Sequence, residues 1–365
     1  MSLSEKYKQA AMSLQMVQPF EGSRHVGWKS PSNIALVKYW GKREPQIPQN
    51  PSMSFTLSNS FTETSIEYSF YDKSGPKIHF TFEGKNELAF KKRIERFLES
   101  IIEYVPFVKQ LELKIESVNS FPHSSGIASS ASGMSAMALC LVSIENQLFG
   151  TLRNKSEFFE KASFLARLGS GSAARSVYGG FVVWGKHERL ADTSDEVAVK
   201  VHVPGKDMWE LGDAILITSS EKKKVSSSAG HDLMDHHPYA EARYEQAREH
   251  VPYLLEAMEA NRDELFIRVV ENEALSLHAL MVNSNPGFSL MNNNTWSILE
   301  KVCDFRKDTG IFIAFTLDAG PNVHLIYRKK DKVQIKKFIE EKIIQFCENG
   351  YWIDDEMGGG PVELN

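Results

Sequence analysis

Cysteine is scarce in this chain: 365 residues hold three, Cys140, Cys303 and Cys347. They are too few and too far apart for a disulfide framework or a cysteine-rich zinc site, so the cytosol is the simple reading. Long apolar runs are missing too. The longest, Met134–Ile144, is too short to span a bilayer and contains Ser135 and Ser143. The opening MSLSEKYKQAAMSLQMVQPF lacks the apolar core of a signal peptide. These readings predict an intracellular protein without a membrane partner. There is no basic excess, with 42 Lys and Arg against 47 Asp and Glu. A nucleic-acid partner is therefore not expected, although a small anion needs only a few local cations. No Gly-Lys pair is followed by Ser or Thr, and no Ser has Gly at both −2 and +2. That excludes a Walker loop and a nucleophile elbow.

What is present is ordinary globular material, 42% hydrophobic and 24% charged. At about 150 residues per domain, the length predicts two lobes or one large fold. Thr64, Ile66, Tyr68 and Phe70 alternate with polar residues, as do Ile78, Phe80 and Phe82 beyond a DKSGP turn. The pair predicts a hairpin or adjacent antiparallel strands. Helical spacing marks 90–102, 134–144, 158–168, 241–260, 264–280 and 335–346. Strands are expected at 111–115, 180–184, 214–218, 311–317 and 323–327. Strands and helices mix without regular βαβ alternation, which predicts an α+β fold. The polar stretches between 190 and 230 mark the lobe boundary. Residues 1–24 read as a helix or arm, and MGGGPVELN from Met357 as flexible.

Four segments could carry chemistry. Ser120–Gly133 combines small residues and serines with the start of an apolar helix, whose free amides favour a phosphate. A packed small-residue turn is the equal alternative. In Gly169–Gly180, Ser170, Ser172 and Arg175 could grip a carboxylate or phosphate, Arg in bidentate fashion. A helix cap explains the same serines. Lys38, inside the apolar run NIALVKYWGK, either snorkels to water or meets an anion, and snorkelling is favoured on local grounds. Asp318, in TLDAGPN, is a turn former or a placed acid or base, with the turn favoured. The cluster from His231 to His237 lacks metal-site spacing and reads as a polar face near the lobe boundary.

Taken together, SPSNIALVKYWGK (30–42), FPHSSGIASSASG (121–133), GSGSAARS (169–176) and FTLDAGPN (315–322) resemble the diphosphomevalonate decarboxylases in order and spacing. That family belongs to the small-molecule kinase superfamily of galactokinase, homoserine kinase and mevalonate kinase (GHMP). The resemblance runs from about residue 26 to about residue 346. It implies a two-lobed α+β GHMP-kinase fold with a deep cleft. The arm would be 1–25, the S5-like N-terminal lobe 26–210 and the ferredoxin-like C-terminal lobe 211–365. It implies ATP and Mg²⁺, a homodimer, and a reaction in two parts. Diphosphomevalonate is phosphorylated on its tertiary hydroxyl; phosphate then leaves as CO₂ is lost, giving isopentenyl diphosphate.

The resemblance assigns residues as well. Asp318 matches the catalytic aspartate, Lys38 the active-site lysine, and Arg175 the arginine on the substrate carboxylate. Ser170, Gly171, Ser172, Ala173 and Ala174 match its neighbours in substrate binding. Tyr39, Trp40, Gly41 and Lys42 match the segment at the diphosphate, with Ser227, Ser228 and Arg93 also on the substrate. Asn119, Ser124, Ser125, Gly126, Ile127, Ala128, Ser129 and Ser130 match the ATP side, where Ser130 could meet Mg²⁺. The glycine loop departs from the commoner TAAGLASSAAG, and His231 stands where Met is usual. Competing readings are a decarboxylase of the monophosphate, a mevalonate-type kinase, and a non-catalytic nucleotide or sugar sensor.

Overall fold

The structure is a computed structural model; it describes residues 1–71, 75–122, 127–203, 209–221 and 227–364, without the side chains of 227–229. Helix α1 (Leu3–Ala11) starts under a capping box in which Ser2 and Glu5 exchange backbone-to-side-chain bonds. Strand β1 (Ser23–Val37) follows, then a short hairpin of β2 (Lys42–Arg43) and β3 (Ile47–Pro48). Strand β4 (Ser52–Phe70) pairs antiparallel with β1 along most of its length. Its second half carries the alternation read from sequence, with Thr62, Thr64, Ile66 and Tyr68 buried. Its first half is buried on both faces, so no alternation marks it.

Strands β5 (Lys77–Phe82) and β6 (Leu111–Asn119) flank helix α2 (Leu88–Ile101) in sequence. The expected hairpin of β4 and β5 does not form. β6 lies between them, antiparallel to β4 and parallel to β5. The helix joining β5 to β6 is a crossover, and crossover-linked strands run parallel. Helices α3 (Ser129–Phe149) and α4 (Lys155–Gly169) cover the sheet, and α3 is buried almost all round. A single-turn helix α5 (Ala173–Ser176) leads into β7 (Phe181–Trp184) and β8 (Ala198–Lys200), which extend the sheet from β4.

A second, all-antiparallel sheet has β9 (Leu211–Leu216) at its centre. Helices α6 (Ser227–Asp232), α7 (Ala240–Glu259), α8 (Asp263–Val282) and α9 (Asn293–Thr309) come next; α9 is not among the expected elements, although Ile298, Leu299, Val302 and Phe305 have helical spacing. Strands β10 (Ile313–Thr316) and β11 (Val323–Arg328) form the expected pair about the AGPN turn. Helix α10 (Lys332–Phe338) is shorter than the sequence spacing predicts, because the chain widens into a π turn at Ile339–Ile343 and then tightens. Strand β12 (Trp352–Glu356) completes this sheet beside β9.

Each sheet has its own apolar core, and a third cluster spans the two. Ile34, Val37 and Phe55 of the first pack with Ile215, Phe266, Ala314 and Ile326 of the second half. The tail is ordered, against its composition. Gly358 bonds Thr56 and Gly180, and β13 (Val362–Glu363) pairs with β1. A Cβ on Gly179 would lie 2.2 Å from the Gly360 nitrogen, so the tail is threaded closely over the first sheet.

Candidate active site

β1 ends beside β10, and Lys38 and Asp318 lie just past those two ends. Lys38 does not snorkel. It is 2% exposed, and its Nζ donates to Ala35 O at 2.7 Å and Asp318 Oδ1 at 2.9 Å. Burial pulls its pKa below that of a free lysine, although Asp318 opposes the shift. Asp318 keeps a quarter of its side chain exposed. Its turn is real as well: Gly320 N–H donates to Asp318 O, and Asn322 Oδ1 accepts from Thr218 and Ser219 N–H at the end of β9. Asp318 is thus part of the turn, and its carboxylate is held on Lys38.

Arg175 is 2% exposed on α5. Its guanidinium donates to Ser52 Oγ at 2.5 Å, Ser54 Oγ at 2.9 Å and Asn33 Oδ1 at 3.3 Å. All are neutral. Among the described residues no carboxylate forms a salt bridge with it, and burial pushes its pKa down to about 10 while the Asp318 charge resists. A buried guanidinium with neutral partners favours an incoming anion. Ser170 links Ser172 and Ser130 through hydroxyl contacts of 3.5 and 3.3 Å, joining the α5 segment to the first turn of α3. Ala173 and Ala174 are buried in the core. A Cβ on Gly171 would meet the Trp184 and Tyr39 rings at 2.6 and 2.9 Å, so only glycine lets this segment close on them.

Ala128 caps α3 in the left-handed region with φ +43 and no side-chain hydrogen bond, and Ile127 O is held by Ser32 Oγ at 2.6 Å. Among the described residues no side chain caps the first turn of α3 at Ser129 and Ser130. A narrow pocket opens beside them, walled by Phe80, Phe82 and Phe90 with Thr62, Ser117 and Asn119. Arg93 lines this cavity, with Asn119, Ser129 and Ser130. Ser124, Ser125 and Gly126 lie outside the described residues, as do the side chains of Ser227 and Ser228 at the start of α6.

Tyr39 packs edge-on against Trp184 at 4.7 Å. Trp40 is buried in an apolar cluster with Met234, Tyr244 and Leu277. Lys42 Nζ pairs with Glu44 at 3.2 Å. The His231–His237 segment is a polar face on one side only, where Asp232, Asp235 and His236 are exposed. His231, Met234 and His237 are buried at helical spacing. His231 Nδ1 accepts from Gly41 N–H at 3.0 Å, and its ring lies 4.3 and 4.7 Å from those of Tyr39 and Trp40. Burial, aided by Lys42, lowers its pKa to about 3, so the imidazole is neutral. Sequence reasoning also missed Glu273 and Arg243, both buried, which bond the Lys38 backbone.

Two packed α+β halves, a helix start without a side-chain cap over an aromatic-walled pocket, and a buried lysine–aspartate pair at the strand ends are the features of the GHMP small-molecule kinase class. Residues 30–198 match the diphosphomevalonate decarboxylase-like N-terminal domain, and 214–355 the mevalonate 5-diphosphate decarboxylase C-terminal domain. The diphosphomevalonate decarboxylase of Candida albicans is 34% identical over 328 residues, covering 83% of this chain and 85% of that one. The human enzyme is 32% identical over 327 residues, with 83% and 76% covered. Mevalonate diphosphate decarboxylase from Staphylococcus aureus superposes with a TM-score of 0.80 at 27% identity, over 94% of this chain and 99% of that one. MDDEF in complex with MVAPP, AMPPCP and magnesium gives 0.79 at 26%, over 94% and 100%. This chain belongs to the diphosphomevalonate decarboxylase family.

Proposed function

We propose that the protein catalyses ATP-dependent decarboxylation of diphosphomevalonate to isopentenyl diphosphate, with ADP, phosphate and CO₂ as the other products. The observation that carries this reading is the Lys38–Asp318 pair set beside an arginine buried among neutral partners. A tertiary alcohol is a poor nucleophile, so its proton must be managed as the phosphoryl group arrives. The Asp318 carboxylate is the acceptor for that proton. Lys38 holds the carboxylate in place and offsets negative charge at the oxygen under attack. Arg175 holds the substrate carboxylate until CO₂ leaves; a buried carboxylate without such a partner would be costly. The Ser170–Ser172 hydroxyls join it on the substrate side. Tyr39–Lys42 serve the diphosphate end, with Ser227 and Ser228 as further substrate contacts; Arg93 lines the cavity beside the α3 start instead.

The α3 start and the adjacent cavity would take ATP. Its aromatic walls suit a base, and a helix start suits phosphate. Among the described residues no group of three or more His, Cys, Asp or Glu could hold a metal. That donor set fits magnesium carried by phosphates and water with one protein hydroxyl, Ser130. When bound, magnesium would neutralise charge on the phosphates. A cytoplasmic homodimer belongs to the same reading. The three cysteines are free, as a reducing compartment requires, and no described helix is long and apolar enough to cross a membrane.

The test mixes the protein with ATP, Mg²⁺ and diphosphomevalonate and follows ADP and CO₂ together, with phosphomevalonate and mevalonate in parallel. Equal ADP and CO₂ from the diphosphate is the expected result. ADP without CO₂ would make it a kinase, and a preference for the monophosphate would change the substrate. Light scattering checks the dimer.

A further inference from the structure

The reacting pair comes from chain ends far apart in sequence, and a single helix bonds the backbone of both. Pairing of β1 with β4 stops at Val37–Met53. The next peptide, that of Lys38, needs other partners. Glu273 on α8 accepts the Lys38 N–H at 2.7 Å. Arg243 on α7 and the Asn50 amide donate to Lys38 O at 3.2 and 2.9 Å. Five residues further along α8, the His278 Nε2–H donates to Asp318 O at 3.1 Å. Positions five apart on a helix point about 140° away from each other and rise about 7.5 Å. Glu273 therefore reaches the end of β1 while His278 reaches the end of β10.

Glu273 is itself fixed. It is fully buried, receives both Arg243 terminal nitrogens at 2.8 and 2.5 Å, and meets His250 Nδ1 at 2.6 Å. Burial would raise its pKa, but Arg243 and His250 outweigh it and hold the carboxyl below the usual range. A buried ionic cluster adds little net stability compared with apolar residues of the same shape. What it adds here is direction: a charged acceptor that cannot turn away from the Lys38 peptide.

We propose that α8 is the positioning element for the reacting pair, with Glu273 and His278 as positioning residues that set Lys38 against Asp318. The inference rests on the reading of Lys38 and Asp318 as the reacting pair. Neither residue touches the substrate; each acts through the backbone of another.

The experiment compares Glu273→Gln, His278→Leu and His278→Gln in the full chain. The expected result is a kcat loss on the order of 10²-fold for His278→Leu, the scale of a misplaced reacting group. His278→Gln, which keeps a donor, restores most of it. Glu273→Gln loses roughly tenfold, and KM for ATP stays unchanged in all three. In an Asp318→Asn background, His278→Leu costs nothing further, because the group it aims is gone. An equal loss in both backgrounds, no loss in either, or a rise in KM for ATP matching the fall in kcat would overturn the proposal.

A second measurement does not depend on the reaction. The ¹³Cε resonance of Lys38, in protein labelled at lysine and without substrate, is expected to move in His278→Leu and Glu273→Gln but to return in His278→Gln. An unmoved resonance overturns the positioning role. Failure of the wild type to turn over any of the three mevalonate compounds would overturn the reaction and leave this second test standing.

Discussion

Lys161 and Lys38 are buried to nearly the same degree, 1% and 2% exposed, and each meets a carboxylate, yet their surroundings differ. Lys161 pairs with Glu145, which is 2% exposed and whose second oxygen accepts from Thr151. That pair joins α4 to α3 and is closed. Lys38 pairs with Asp318, which keeps a quarter of its side chain open and lies near the Arg175 guanidinium. Burial alone does not mark a functional lysine. A carboxylate partner that stays partly open to solvent does.

The strongest test of this contrast is Asp318→Asn. It keeps shape and removes the charge, and turnover is expected to fall roughly 10²–10⁴-fold in steady-state assays on protein that still unfolds cooperatively. Near-normal turnover would make the open pair as structural as the closed one. The converse change is Lys161→Met. It strands Glu145 in the core, so urea unfolding should show a loss of about 3–5 kcal/mol, while kcat of the folded protein is preserved. Lys38→Met should do the reverse, losing turnover with far less stability, because Asp318 can solvate. Equal destabilisation by the two substitutions would erase the distinction.

A smaller effect is expected from Arg175→Lys, on the order of tenfold in kcat/KM for the organic substrate, because the charge survives and the fork is lost. The same residue sets an alkaline limb. A lowered pKa means the proton is lost sooner, so wild-type turnover should decline as pH rises through about 10, with Lys38 deprotonating below its free-lysine range and adding to the fall. A flat profile to pH 11 would remove both cations from the rate-limiting step. Ser130→Ala should be the mildest, raising KM for ATP a few-fold, the worth of about 1 kcal/mol of hydrogen bonding. An effect confined to the organic substrate would move Ser130 to the other side of the site.

How much of this was legible depends on the range of the forces involved. β4 announced itself in its second half because one face is exposed there; β1 and the first half of β4 are buried on both faces and give no alternation. Lys38 was misjudged on local grounds, since the carboxylate that makes its burial tolerable stands 280 residues away. The His231–His237 run looked polar because its composition is polar, but its buried spacing follows the helix. Glu273, Arg243 and His278 sit on helices that the apolar spacing marks, but spacing says nothing of their polar partners. Only the packing of α8 between two strand ends turns them inward. The four motif segments were legible as a set through their resemblance to a family, and the structure brings Lys38, Asp318, Arg175 and the Ser130–Ser170–Ser172 hydroxyls into one region.

The return of the tail to the first sheet has a consequence for how the protein is made. β1 and β4 leave the ribosome early, but the strand that covers β1's outer edge, and the glycines that satisfy Thr56 and Gly180, are translated some 300 residues later. The first sheet must therefore wait, with one edge unpaired, until the second sheet has formed and handed the chain back. Synthesis order and assembly order are thus uncoupled in this protein, and its first half is the part with most need of protection while translation is unfinished.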